Sequence, residues 1–372
     1  MAEKRLREKK AAAGYGITES LAGRDTVYDW LRIFATLLVV FGHSSYLDIH
    51  TLCGGISYSV PAAVSPAWYS PLLTFFRDSV VWITSFHMQL FFMLSGAVMA
   101  IKPPDDLLRF TKNKLRRLIV PYYLCGLLFV IPVKLLAGYY DKNTVLRAVF
   151  YFLPCIEKTH LWFLPVLFIC MMLFAPVCIY LKRSDRLDNA AFMLLPALLV
   201  HVIDRNGILY IRFLSVVATY LLWFLIGFVF ETVKNRRRKW SLLQLAVGII
   251  SLIAVEILTA LHGIDLGHYM TVITRCSLLF LAAGLCDVLF GAFTGTKTWK
   301  VIVRNLFNIY LFHDPLEYVV IRAFMDRGWL GSAAGCYLFY VLRSAGVIVI
   351  CIIIGEVLRK MKSLFGRKQR RA

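Results

Sequence analysis

The sequence predicts an all-α, polytopic integral membrane protein with about ten transmembrane helices and both termini in the cytoplasm. Three observations support this fold class. Of the 372 residues, 59% are hydrophobic and only 17% are charged, and the mean hydropathy is +0.68. Several apolar stretches reach the ~20 residues that a helix needs to cross a bilayer. Finally, the basic residues are divided unevenly between alternate connecting segments.

Ten spans are predicted from the apolar stretches. They cover residues 29–49, 79–101, 118–137, 160–181, 188–203, 211–232, 241–261, 269–290, 302–324 and 333–358. The connections on the side of the termini hold 29 Lys and Arg residues, and those on the opposite side hold 6. Because basic loops remain in the cytoplasm, this asymmetry places both termini there. It also accounts for the net charge of +20, so we expect a lipid bilayer and no nucleic acid as a partner.

Three regions follow from this division. Residues 1–27 form a basic cytoplasmic N-terminal tail, residues 28–358 the ten-helix membrane domain, and residues 359–372 a basic cytoplasmic C-terminal tail. Residues 1–25 lack the early apolar core of a cleavable signal peptide. The nine cysteines show no metal-ligand spacing, so no metal is expected. Cys53 and Cys155 both fall in outer loops, which leaves a disulfide between them open.

The first span, Tyr28–Tyr46, is apolar apart from a few groups that include Asp29, Arg32 and His43. Arg32 and His43 are eleven residues apart, close to three helical turns, so they share one helix face about 16 Å apart along the axis. Ionisable groups confined to one face of an apolar helix are expected to face protein or water. We interpret this face as catalytic. The alternative for Arg32 is an ion pair with Asp29 near the inner interface.

Further polar residues stand in later spans. His87 is predicted at the same depth as His43, with a buried packing role as the alternative; Gly96, in the same span, is expected to permit close helix contact. His160 opens the fourth span, where a residue of the interfacial aromatic belt is the alternative. In the ninth span Asn308, Tyr310 and His313 precede Pro315, which is expected to break the helix.

Two charged features remain. Lys114, Arg116 and Arg117 form a basic inner loop that either binds phosphates of a cytosolic ligand or only marks topology. Glu256 and Arg275 lie at matching depths in neighbouring spans and are expected to form a structural ion pair.

Five motifs in this order resemble acyltransferase family 3, a family of membrane proteins that O-acylate envelope glycans. The motifs are Arg32-x10-His43, Phe86–Gly96, Lys114–Pro121, His160–Pro165 and the segment ending at His313-Asp314-Pro315. The likeness covers roughly residues 28–358. Two positions depart from the family pattern: Gln89 stands where proline is usual, and Lys114 where arginine is usual.

The resemblance implies an O-acyltransferase that moves an acyl group, expected to be acetyl, from cytosolic acetyl-CoA or another acyl-CoA to a hydroxyl of an extracytoplasmic carbohydrate or related acceptor; a small secreted metabolite stays open as well. His43 would be the general base or a transient acyl carrier. Arg32 and His87 complete the expected catalytic set, Lys114, Arg116 and Arg117 would bind the donor, and His87 or Tyr310 would polarise the thioester. Asn308, His160 and His313 are further candidates for the site.

The competing prediction is a small-solute transporter or binding module without acyl transfer. The basic inner loop favours the enzyme, because a CoA-dependent enzyme needs cations for the donor phosphates and a carrier of neutral solutes does not. The expected location is the plasma membrane.

Overall fold

The structure is a computed structural model that describes residues 26–44, 48–51, 53–57, 82–155, 159–197, 200, 212–236, 267–328 and 333–368. Helices dominate these residues, and the only strands among them form one two-stranded sheet. The longer helices are Thr26–Ser44, His87–Ile101, Phe163–Arg183, Arg212–Arg236, Gly267–Leu289, Lys297–Asp326 and Val347–Lys368. Shorter ones are Leu107–Lys114, Val120–Cys125, Ile131–Leu136, Thr144–Phe152, Gly291–Thr294 and Ala333–Val341.

Six helical stretches of the described chain are long and apolar enough to cross a membrane. They are Trp82–Ile101, Leu107–Leu136, His160–Arg183, Leu214–Val233, Thr271–Leu289 and Leu338–Met361. The all-α membrane fold is thereby confirmed. The count of ten and the orientation of the termini stay predictions.

The remaining predicted spans fall into two groups. Those at 29–49 and 302–324 are helical as Thr26–Ser44 and Lys297–Asp326 but are not among the six, and both carry the polar residues described below. The span at 241–261 lies outside the described residues, and of the one at 188–203 the described part holds a short 3-10 helix, Leu187–Met193.

The stretch Leu107–Leu136 is a helix with two wide π turns, Leu115–Ile119 and Gly126–Val130. Each π turn is followed within two residues by a proline, Pro121 and Pro132. Proline has no backbone N–H and disturbs the regular ladder, and π turns of this kind are frequent at functional sites.

Helix His87–Ile101 packs closely on helix Arg212–Arg236. A Cβ atom on Gly96 would overlap the carbonyl oxygen of Phe224, and one on Gly227 would overlap that of Met93. Only glycine allows the two backbones to approach this closely. The expected role of Gly96 is confirmed.

The described part of the predicted outer loop is a hairpin in which strand Asp48–His50 pairs antiparallel with strand Gly55–Ser57. The amide of Gly55 donates to the carbonyl of Tyr139, at 3.0 Å. Cys53 and Cys155 are both free thiols, so the disulfide left open above is not formed.

Arg275 donates to the carbonyl of Trp82, at 2.9 Å, and to the hydroxyl of Ser85. Its expected partner Glu256 lies outside the described residues.

Candidate functional site

The buried carboxylate of Asp314 is the centre of a cluster of basic groups. Its Oδ1 lies 3.2 Å from Nδ1 of His43. Its Oδ2 lies 2.8 Å from Nζ of Lys134 and 3.0 Å from Nδ1 of His160. With His313, whose ring is 5.0 Å from that of His43 and 5.1 Å from that of His160, these residues form what we call the Asp314 cluster. Four separate segments of the chain supply it.

Pro315 helps to build this cluster without breaking its helix. Helix Lys297–Asp326 runs continuously through Pro315, so the expected break is wrong. A proline leaves the carbonyl four residues earlier without its helical donor, which here is the carbonyl of Leu311. That oxygen accepts instead from His160 Nε2, at 3.2 Å, and from Cys125 Sγ, at 3.4 Å. These side chains replace the lost backbone bond.

His160 is fully engaged in holding the cluster together. Both ring nitrogens face oxygen acceptors, the carboxylate of Asp314 and the carbonyl of Leu311. A neutral imidazole can donate from only one nitrogen, whereas an imidazolium donates from both. The backbone carbonyl of His160 also accepts from the hydroxyl of Tyr310, at 2.7 Å. His160 is therefore a buried structural member of the cluster and not a residue of the interfacial belt.

His43 has the most exposed side chain of the cluster. Its side chain is 26% exposed, whereas that of His160 is 1% exposed. With the Nδ1 proton directed at Asp314, the acceptor nitrogen of the neutral ring is Nε2. The backbone of His43 is also fixed in place. Arg343 donates to the carbonyl of His43 at 2.9 Å and forms an ion pair with Glu317 at 3.4 Å.

His313 presents a second acceptor nitrogen. Its Nδ1 lies 3.0 Å from the carbonyls of both Ile309 and Tyr310, so Nδ1 is the protonated nitrogen. Its Nε2 is buried and has no hydrogen-bond partner in the described part of the chain. A buried acceptor without a donor is costly, and it suits a ligand that brings a hydroxyl group.

A cavity of about 940 Å³ opens beside the cluster, within the size range of ligand pockets. Most of its wall is apolar, but five basic side chains also line it: Arg32, Lys102, Lys114, Arg117 and Arg304. Tyr310 lines the same cavity and lies six residues, about 9 Å of helical rise, beyond Arg304. One further turn leads to His313. The cavity and the Asp314 cluster therefore meet at Tyr310.

Arg32 combines the two alternatives that the sequence leaves open. Its NH1 donates to Asp29 at 2.8 Å, and the residue also lines the cavity. Asp29 thus fixes the guanidinium at the cavity wall.

The structure divides the predicted site residues into three groups. His43, His160 and His313 belong to the Asp314 cluster, whereas Arg32, Lys114, Arg117 and Tyr310 line the cavity. Neither set includes His87, Arg116 or Asn308. His87 donates from Nδ1 to the carbonyl of Ile83, at 2.7 Å, and Asn308 donates to Asn305, at 2.8 Å. Arg116 is exposed.

Lys134, Glu317 and Arg343 were not predicted, and Asp314 was predicted only as part of the pair His313-Asp314. All four are ionisable residues within or beside apolar stretches, which is itself a signal of function in a membrane protein. Among the described residues, no group of three or more His, Cys, Asp or Glu side chains is arranged to hold a metal ion.

Fold and site together define a membrane-embedded histidine–carboxylate cluster beside a large basic cavity. The Acyl_transf_3 family model, described as an acyltransferase domain, matches residues 26–356. The chain belongs to this family and is an acyltransferase that transfers acyl groups other than aminoacyl groups. This membership decides against the transporter without acyl transfer. No curated protein and no solved structure matches the chain.

Proposed function

We propose that the protein is a transmembrane O-acyltransferase of the plasma membrane, which moves an acetyl group from cytosolic acetyl-CoA to a hydroxyl of an extracytoplasmic carbohydrate. The observation that carries this proposal is the junction at Tyr310 between the basic cavity and the Asp314 cluster. An enzyme of this kind must hold an anionic donor at one end of a path and activate a hydroxyl at the other. The proposal retains ten spans with both termini in the cytoplasm.

The cavity is the proposed donor site. The phosphates of CoA would bind the basic side chains at its wall, since arginine and lysine are the usual phosphate ligands in proteins. The pantetheine arm would extend along the apolar wall toward Tyr310. Arg32 and His43 are about 16 Å apart by helical rise, a distance that this extended arm can bridge.

His43 is the proposed general base. An acceptor hydroxyl attacks the thioester carbonyl while Nε2 of His43 takes the hydroxyl proton. The tetrahedral intermediate then expels CoA as a thiolate, which receives that proton from the imidazolium. Asp314 orients the ring through Nδ1 in the manner of a catalytic carboxylate–histidine pair. No net proton is gained or lost.

His313 is the proposed contact for the acceptor. Its Nε2 is a buried hydrogen-bond acceptor in the described structure, and a hydroxyl of the carbohydrate can donate to it. The two expected donors to the developing oxyanion are both engaged elsewhere: the hydroxyl of Tyr310 donates to the carbonyl of His160, and His87 donates from Nδ1 to the carbonyl of Ile83, which leaves a neutral ring without a proton at Nε2.

The test uses inside-out membrane vesicles that contain the full chain and an envelope polysaccharide in the lumen. Acetyl-CoA labelled in the acetyl group is added outside, at the cytoplasmic face. We expect label to accumulate in luminal polysaccharide as an alkali-labile ester, together with release of free CoA outside. Vesicles with His43→Ala should form neither product. Equal labelling in those vesicles would refute the role of His43, and CoA release without any esterified acceptor would refute the carbohydrate acceptor.

A further inference from the structure

Lys134 is a buried ammonium group to which the mechanism above assigns no role. It lies in helix Ile131–Leu136 and is 2% exposed. Its Nζ lies 2.8 Å from Oδ2 of Asp314. The faces of two tyrosine rings enclose the same ammonium, Tyr139 at 4.7 Å and Tyr318 at 4.5 Å. An ammonium group enclosed in this way cannot move to contact a substrate, so its position is fixed by the fold.

The contacts of Asp314 show what this cation can do. The two carboxylate oxygens have different partners. Oδ2 contacts Lys134 and His160, and Oδ1 contacts His43. Two partners on one oxygen, an ammonium and an imidazole nitrogen, fix the plane of the carboxylate. The other oxygen is then directed at Nδ1 of His43, which is the contact that sets the tautomer of the proposed base.

Removal of Lys134 would leave a buried carboxylate without its ammonium partner. Such a group becomes protonated or turns toward another donor, because an uncompensated buried charge costs several kcal/mol. In either case Oδ1 is lost as a fixed acceptor for His43. The other charged groups near Lys134 do not replace it: Glu317 is an acid, and Arg343 is paired with Glu317.

We infer that Lys134 is a positioning residue that acts through Asp314 to hold His43 in its Nδ1–H tautomer. The inference rests on the proposed function for its kinetic consequence, but the tautomer itself can be measured without any substrate. The carbonyl of Tyr139 also accepts a hydrogen bond from the amide of Gly55 in the hairpin. The aromatic side chains around Lys134 are therefore connected to the hairpin at the proposed outer face of the protein.

The kinetic test is a double-mutant cycle on the full chain in proteoliposomes, with release of CoA from acetyl-CoA as the readout. We expect Lys134→Met to lower kcat about 10- to 10²-fold with little change in the KM for acetyl-CoA, by analogy with the loss of a partner that orients a metal-ligating histidine. In the background of Asp314→Asn, the same substitution should cost nothing more. Lys134→Arg, which keeps the charge, should retain more activity than Lys134→Met. Lys142→Met is the matched control, because Lys142 is exposed on the loop that follows the same helix.

The structural test is the ¹⁵N NMR spectrum of protein labelled at histidine, with His43→Gln to assign the His43 signals. The wild type and Lys142→Met should show the Nδ1–H tautomer at His43, and Lys134→Met should show its loss. An unchanged tautomer in folded Lys134→Met, or losses that add in the double mutant, would overturn the inference. If Lys134→Met loses the Nδ1–H tautomer of His43 but the wild type itself releases no CoA, the proposed function is refuted and the inference stands.

Discussion

Oδ1 of Asp314 lies 3.2 Å from Nδ1 of His43, which joins the long helix Lys297–Asp326 to the first described helix, Thr26–Ser44. The pair is buried on the carboxylate side and open on the imidazole side, with side-chain exposures of 5% and 26%. An imidazole oriented through Nδ1 leaves Nε2 as the nitrogen for general-base chemistry. The proposed role of His43 as general base depends on this contact.

Asp314→Asn should lower kcat by about 10²- to 10⁴-fold, because an amide can present a donor to Nδ1 and favour the wrong tautomer. The affinity for acetyl-CoA should stay within about threefold of the wild-type value, because Asp314 does not line the cavity and its loss should not affect binding of the donor in the ground state. Steady-state kinetics and calorimetry measure the two effects separately. A variant with wild-type kcat would show that Asp314 is not part of the catalytic unit.

Arg117→Ala should raise the KM for acetyl-CoA by about tenfold. A charge-assisted hydrogen bond to a phosphate contributes about 1.5–3 kcal/mol, and the lower end of this range applies because Arg117 is exposed. The neighbouring Arg116→Ala is the control: both side chains are exposed, but only Arg117 lines the cavity. The difference between the two variants should shrink as ionic strength rises, because salt screens exposed charges. Equal effects of both substitutions would mean that the loop acts only through its overall charge.

Tyr310→Phe distinguishes two roles for a residue at the junction. Loss of the bond to the carbonyl of His160 should cost about 1 kcal/mol of stability, with kcat within about tenfold of the wild type. A decrease of 10²-fold or more in kcat, the size associated with removal of an oxyanion donor, would instead assign thioester polarisation to Tyr310.

Gly96→Ala should destabilise the fold by about 1–3 kcal/mol, because the added methyl group overlaps the backbone of the facing helix. Gly284→Ala is the control, since a Cβ there meets no atom of the described structure within 4 Å, and it should leave stability unchanged or raise it by about 0.5–1 kcal/mol. Thermal unfolding in detergent measures both. Equal unfolding temperatures for the two variants would contradict the close helix contact.

Much of the site follows from local sequence, because an ionisable residue in an apolar helix is conspicuous and helical periodicity fixes its face. Arg32 and His43 were predicted on this basis, and His160 and His313 were named as further candidates. The pairing of Lys134 with Asp314 was not predictable, since it depends on how helices that are distant in sequence pack together. Nothing in a single span indicates which partner a buried charge will meet.

Two further outcomes illustrate how backbone irregularity limits prediction. The π turn Leu115–Ile119 changes the helical phase, so the choice between Arg116 and Arg117 as the cavity residue cannot be derived from a regular helix. Pro315 predicts a break in isolation, but side chains from other segments bond the carbonyl of Leu311 and the helix continues.

The most direct test of a donor cavity that is separate from the catalytic cluster compares donor binding and turnover in His43→Ala. Calorimetry with acetyl-CoA and an assay of CoA release are carried out on the same purified, reconstituted sample. We expect the variant to bind acetyl-CoA as tightly as the wild type and to release no CoA, because the cavity is intact and the base is absent. Turnover at the wild-type rate, or loss of binding by a folded sample, would contradict the separation of donor cavity and catalytic cluster.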